Sequence, residues 1–284
     1  MSQDVYGFTP TSVPIEIDPA RASIARVYDA ALGGKDNYAI DRDVLRHVAS
    51  AVPEVNDLAV SHHSFLTRAL RFCAGQGRIT QFLDCGSSLP AAENTHRIVQ
   101  RIDPHNRVVY VDNDPVALAY GRVFLEENDN THILDADIFN PAEVLTSATV
   151  RAHIDITEPV ALLHVGTLHH YLRDDGADMM KDYIDAIPSG SFVVIAHFFD
   201  TETPGLSEVA HTMQDLFLGG PLGSGRFRTR AQIMAFVAGL DIVPPNPNKI
   251  GELDLCDNWW PDGPQLTPLN QVQRCIAAVV GRKP

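Results

Sequence analysis

A change of rhythm at Gly77 constrains this chain more than any other feature. Beyond it, short apolar runs over 79–83, 108–111, 132–134, 160–165 and 192–196 are separated by helical patterns over 93–101, 115–126, 141–151 and 175–187. Strands that alternate with helices are joined by crossovers, and crossovers make neighbouring strands parallel with helices on both faces of the sheet. Two further helices are expected over 206–218 and 229–238, flanking a glycine-rich loop at 219–225. Two last strands are expected over 241–243 and 275–280. The expected fold is a doubly wound α/β sheet.

Before Gly77 the pattern is helical throughout. Ile24, Val27, Tyr28, Ala31 and Leu32 fall at helical spacing and stop at Gly33-Gly34, as a helix C-terminus does. Val44, Leu45, Val48 and Val52 form a second stripe that ends at Pro53, and Leu58, His62, Phe65, Leu66, Ala69 and Leu70 form a third. Apolar stripes must be covered, so residues 1–77 are expected to be a helical extension lying as a lid on a main domain of residues 78–284.

Composition excludes several classes. With 36 acidic residues against 22 Lys and Arg, the formal charge is −14, so a nucleic-acid backbone is repelled on average and nucleic acid is not an expected partner. No apolar run approaches the roughly 20 residues of a membrane span, and Met1 to Pro14 lacks a basic-then-apolar signal pattern. A cytoplasmic protein without a membrane partner is expected. Cys73, Cys85, Cys256 and Cys275 form no C-x-x-C pair, and the adjacent histidines of His62-His63 and His169-His170 point to different faces. No metal is expected.

The chemistry is expected at the strand ends, because ligands of open parallel sheets bind beyond the carboxyl ends of the strands. The first run ends in Asp84-Cys85-Gly86-Ser87-Ser88-Leu89-Pro90 and the second in Val111-Asp112-Asn113-Asp114-Pro115. An acid at the second position suits the two hydroxyls of a ribose, for NAD and S-adenosylmethionine alike. The first turn separates them. A dinucleotide needs backbone amides around its pyrophosphate, yet this turn offers one glycine and a proline without an amide hydrogen. S-adenosylmethionine brings an ammonium and a sulfonium, which an acidic Asp84 favours. After the third run, Asp135-Ala136-Asp137-Ile138-Phe139 offers a carboxylate for an adenine amino group and apolar contact for its ring.

Other residues join these candidates. His164 lies at the end of the fourth run, and His169 in the following turn is the candidate base, although many methyl transfers need only alignment. Tyr28 and Tyr38 are candidates for an aromatic contact to the sulfonium, worth ~1 kcal/mol. Trp259-Trp260 either walls an acceptor pocket or covers a hydrophobic edge. A methyltransferase acting on a small molecule is the leading expectation. The alternatives are a non-catalytic protein that binds S-adenosylmethionine or S-adenosylhomocysteine and, with less support, an NAD-dependent oxidoreductase.

The segments Leu32-Gly33-Gly34-Lys35-Asp36-Asn37-Tyr38, Phe82-Leu83-Asp84-Cys85-Gly86-Ser87-Ser88-Leu89-Pro90, Asn94-Thr95-His96, Tyr110-Val111-Asp112-Asn113-Asp114-Pro115, Asp135-Ala136-Asp137 and Leu168-His169-His170 together resemble an actinobacterial family of S-adenosylmethionine-dependent methyltransferases, formerly a domain of unknown function. The resemblance implies a Rossmann-like sheet of seven strands with an antiparallel last strand, S-adenosylmethionine as donor and S-adenosylhomocysteine as product. It places Asp84 and Gly86 at the methionine end of the donor, Asp112 at the ribose and Asp137 at the adenine. Asn113, Ala136 and His164 stand beside them, and Gly34, Lys35 and Tyr38 reach over from the lid. Ser88 stands where the family more often has a second glycine. The acceptor and the oligomeric state are left open by the resemblance.

Overall fold

The computed structural model describes residues 17–86, 94–125 and 128–284. A single sheet organises the chain. Its strands β1 (Gln81–Cys85), β2 (Arg107–Asp112), β3 (Thr131–Asp135), β4 (Ala161–Val165), β5 (Phe192–Phe198), β6 (Asp241–Ile242), β7 (Asp254–Leu255) and β8 (Ile276–Arg282) lie in the order β3-β2-β1-β4-β5-β8-β6, with β7 paired to β8 off that path. Strands β1 to β5 pair in parallel, and β8 runs antiparallel to β5, β6 and β7. The expected path of seven strands is present. The eighth strand, β7, is two residues long and sits in the loop between the last two expected strands.

Alternation along the strands divides the core into two layers. Phe82, Val108, Leu163 and Val194 face one layer, whereas Leu83, Val109, Leu162 and Val193 face the other. The second layer is covered by α6 (Pro141–Thr146), α7 (Ala148–His153), α8 (Gly176–Ala186) and α10 (Arg230–Ala235), through residues such as Val144, Val150, Met180 and Ile233. The helix expected over 141–151 is divided at Ser147, whose extended backbone breaks it and whose hydroxyl accepts from Val150 N to cap α7. The first layer is covered by α4 (Thr95–Gln100) and α9 (Leu206–Gly219), and by the three helices that precede the sheet. Residue 93 of the expected α4 and residue 126 after α5 (Pro115–Tyr120) lie outside the described residues.

Those preceding helices are α1 (Ile24–Ala31), α2 (Ala39–Ala49) and α3 (Asp57–Gly75). Val27, Val44, Val48, Leu58, Phe65 and Leu70 are buried in the same apolar cluster as the β1, β2 and β4 side chains. They share the core of the sheet. A buried ion pair also joins the first two helices: Arg26 Nε lies 2.8 Å from Asp41 Oδ2, with side-chain exposures of 4% and 0%. Asp41 accepts in addition from the amides of Ser23 and Tyr38, at 3.0 and 2.8 Å.

Of the two roles open to the tryptophans, the structure shows the cover. Trp259 is fully buried between Phe65 and Phe72, with ring centroids 5.4 and 5.5 Å away. All four cysteines are free and buried. Among the described residues, no helix is long and apolar enough to cross a membrane, and no group of three His, Cys, Asp or Glu side chains is placed to hold a metal.

Candidate active site

A cavity of about 840 Å³ opens over the carboxyl ends of β1 to β5 and is roofed by the segment from Ile17 through α1 and by α3. This volume lies within the roughly 300–1,000 Å³ of ligand sites. Its two halves differ in character.

The first half gathers strand-end acids. Asp84, at the end of β1, is buried and accepts a 2.6 Å bond from the Thr95 hydroxyl at the start of α4. Burial, reinforced by the Asp112 charge and opposed by the Thr95 bond, pushes its carboxyl up to about 7. Two residues on, Gly86 has φ +101, and a Cβ there would stand 2.2 Å from Thr167 Cγ2. Only glycine allows the turn to approach β4 so closely. At the end of β2, Asp112 Oδ1 accepts from Asp114 N at 2.8 Å, and Asp114 caps α5 by accepting from Val116 N and Ala117 N. Asp114 also accepts the hydroxyl of Ser23, which ties the start of α1 to the β2 end. After β3, Asp137 Oδ1 accepts from Phe139 N at 2.9 Å, and Ile138 and Phe139 line the wall beside it.

The second half is neutral and largely apolar. His169 is 3% exposed and stacks on Phe198, with centroids 3.6 Å apart and planes 9° from parallel. Burial holds its imidazole well below the usual histidine range, and its Nδ1 has no hydrogen-bond partner. His62, on α3, faces it with ring centroids 5.9 Å apart. Burial lowers His62 to about 4, and its Nε2 is also without a partner. The ring packs against Gly166 so tightly that a Cβ there would lie 2.2 Å from His62 Cε1. Behind this pair, buried Arg228 donates to the carbonyls of Leu168 and Tyr171 and contacts His197 Nε2 at 2.9 Å, fixing the turn that carries His169.

Of the residues singled out in the sequence, Asp84, Gly86, Asp112, Asn113, Asp137, Tyr28 and His169 line the cavity. Five others stand outside its lining. Ala136 is buried in the opposite core layer, and its amide donates to Asp112 O at 3.2 Å. His164 is fully buried and turns the same way, against Tyr183 with centroids 5.3 Å apart. Gly34, Lys35 and Tyr38 are exposed in a turn held by Asp29, whose Oδ2 accepts from Asp36 N and Asn37 Nδ2 at 3.0 and 2.7 Å. The Tyr38 ring lies under the Arg26 guanidinium, 4.9 Å away, and Asp36 accepts from Tyr120 on α5. Sequence inspection missed His62, Thr95 and the Gly166-Thr167 turn. Ser87, Ser88, Leu89 and Pro90 lie outside the described residues.

The profile of the S-adenosyl methyltransferase family matches residues 10–284, nearly the whole chain. The chain belongs to that family. A protein of Thermobifida fusca YX assigned as a methyltransferase is 34% identical, with a TM-score of 0.85 over 93% of this chain and 96% of that one. A DUF574 family protein of Streptomyces avermitilis MA-4680 is 28% identical, with a TM-score of 0.85 over 95% of this chain and 100% of that one. No curated protein matches the chain. This S-adenosyl methyltransferase is therefore an enzyme that uses S-adenosylmethionine, and a nicotinamide-dependent oxidation is set aside.

The strand ends fit such a donor. Asp84 has no cationic partner among the described residues, and its raised pKa is the mark of a buried carboxyl that lacks one. An ammonium would supply that charge, and the Gly86 turn beside it packs closely on Thr167.

Proposed function

We propose that this S-adenosyl methyltransferase transfers a methyl group to a small-molecule acceptor, with the donor along the ends of β1 to β3 and the acceptor in the half lined by α3 and β5. The observation that carries this is the division of one cavity into an acidic half and a neutral, apolar half. The donor, when bound, supplies an electrophilic methyl on a sulfonium whose departure as a thioether is favourable. Asp84 holds the ammonium, Gly86 allows close approach of the backbone, and Asp112 beside Asn113 accepts the ribose hydroxyls. Asp137 accepts from the adenine amino group while Ile138 and Phe139 flank the ring. The α1 and α3 roof excludes water from the transferred methyl. Gly34, Lys35 and Tyr38 serve the roof by bracing its turn, and Ala136 and His164 serve the donor by setting the strand ends from behind.

The first test is ligand choice. S-adenosylhomocysteine raises the thermal midpoint by mass action on the folded state, whereas NAD and NADP leave it unchanged. Stabilisation by NAD alone overturns the proposal. A second test addresses the ribose. Asp112→Ala removes charge-assisted acceptors and lowers S-adenosylhomocysteine affinity by about 1.5–3 kcal/mol, or roughly ten- to a hundredfold. Wild-type affinity by calorimetry in a folded Asp112→Ala protein places the ribose elsewhere.

A further inference from the structure

The acceptor half of the cavity has a composition that selects among acceptors. Its apolar walls come from Leu58, Leu66, Val165, Phe198, Phe217 and Leu222. Among the described residues, every charged side chain lining the cavity stands elsewhere: Asp84, Asp112, Asp114 and Asp137 at the strand ends, and Asp18, Arg21 and Arg26 on the segment that includes α1. Arg26 is already paired with Asp41. What the acceptor half does hold is imidazoles: His63 and His170 line the cavity, and the two buried ones, His62 and His169, are 2% and 3% exposed, each with one ring nitrogen lacking a partner. His62 and His169 come from separate elements, α3 and the turn after β4, and their rings are 5.9 Å apart. A buried polar atom without a partner is costly, so two of them on rings only 5.9 Å apart in the lining of one cavity mark a place for a polar group that the chain itself does not supply.

We propose that the acceptor is an uncharged molecule with an apolar body and a hydroxyl as its methyl-accepting group, and that this hydroxyl is held between His62 and His169. This rests on the placement of the donor proposed above. One imidazole accepts the O–H, the other donates to the oxygen, and the remaining lone pair is left for the methyl. As the oxygen lone pair forms the O–CH₃ bond, the S–CH₃ bond breaks with its electrons staying on sulfur, and the O–H proton passes to the His62 imidazole. The proton balance disfavours the alternatives. An alkylammonium must first shed a proton held near 10, and imidazoles that burial lowers, to about 4 at His62 and well below the usual histidine range at His169, are too weak to take it. A carboxylate enters this half without a cation to meet it. A hydroxyl becomes strongly acidic only as its oxygen is methylated, and then a weak base suffices.

Calorimetry on the full chain saturated with S-adenosylhomocysteine tests this with three probes of one shape: 2-naphthol, 2-naphthoate and 2-naphthylmethylammonium. The expected result is that 2-naphthol binds at least tenfold more tightly than either charged probe. His62→Ala then weakens 2-naphthol about tenfold while leaving naphthalene and S-adenosylhomocysteine affinities unchanged, and His62→Gln restores part of the loss. Should His62→Ala fail to fold, His169→Asn carries the same expectation. Equal binding of the charged probes, no binding of 2-naphthol, or a 2-naphthol affinity indifferent to both substitutions overturns the hydroxyl site. A wild-type protein that does not bind S-adenosylhomocysteine instead overturns the donor placement on which it rests.

Discussion

Asp84→Asn lowers S-adenosylhomocysteine affinity by about 3–5 kcal/mol, two to nearly four powers of ten, because it leaves a buried ammonium without its counter-charge. The substitution keeps the shape of the side chain and an oxygen to accept the Thr95 hydroxyl, so the fold is retained. The pH dependence separates charge from shape. Burial raises the Asp84 carboxyl to about 7 in the ligand-free protein, so half of the molecules carry the uncharged form near neutrality and must lose a proton to meet the ammonium. Wild-type affinity therefore rises from pH 6 to pH 8, and the Asn variant lacks this component. Stability moves the other way. A carboxyl raised on folding contributes stability that is present in full below its unfolded value near 3.9 and is lost as pH rises through about 7. Ligand-free Asp84→Asn accordingly matches the wild type near pH 4 and exceeds it above pH 7. Calorimetry and thermal unfolding across this range check both signs, and identical pH profiles for the two proteins contradict the assignment.

A comparable loss, in stability rather than affinity, is expected at Asp41. Its carboxylate is fully buried and holds Arg26, the Ser23 amide and the Tyr38 amide at once. Asp41→Ala leaves the Arg26 guanidinium buried and unpaired, which costs about 3–5 kcal/mol. The effect reaches the site because Ser23 is also bonded to Asp114 beside the β2 end. Hydrogen exchange over 19–45 accelerates in the variant, and S-adenosylhomocysteine, by binding beneath the roof, slows it again. Unchanged exchange in a folded Asp41→Ala protein shows that the ion pair does not hold the roof in place.

The fold was legible because buried parallel strands leave continuous apolar runs; all five residues of β1 are buried. β7 was not, since two half-buried residues carry no period and their pairing is imposed by β8. The strand-end acids were legible because an acid directly after an apolar run has one place to be in an open sheet. His164 was misplaced by the same rule applied one residue too loosely: alternation sends Leu163 toward α3 and His164 toward α8. His62 was hidden by its company. It occupies a stripe with Leu58, Phe65 and Leu66 that packs the core, and only the docking of α3 on the Gly166 turn brings its ring against His169. The Gly34-Lys35-Tyr38 turn carried the resemblance together with the β2-end segment, but it stands at the outer edge of the roof, where Asp29 accepts from Asp36 N and Asn37 Nδ2, Tyr120 donates to Asp36, and Arg26 lies over the Tyr38 ring.

A crystal structure of the full chain with S-adenosylhomocysteine tests the central claim most directly. The account predicts the ligand beneath α1, its ammonium at Asp84, its ribose hydroxyls at Asp112 and its adenine beside Asp137, with the thioether sulfur directed toward His62 and His169. A ligand bound outside this cavity, or one lying in it with the sulfur turned away from the two histidines, contradicts it.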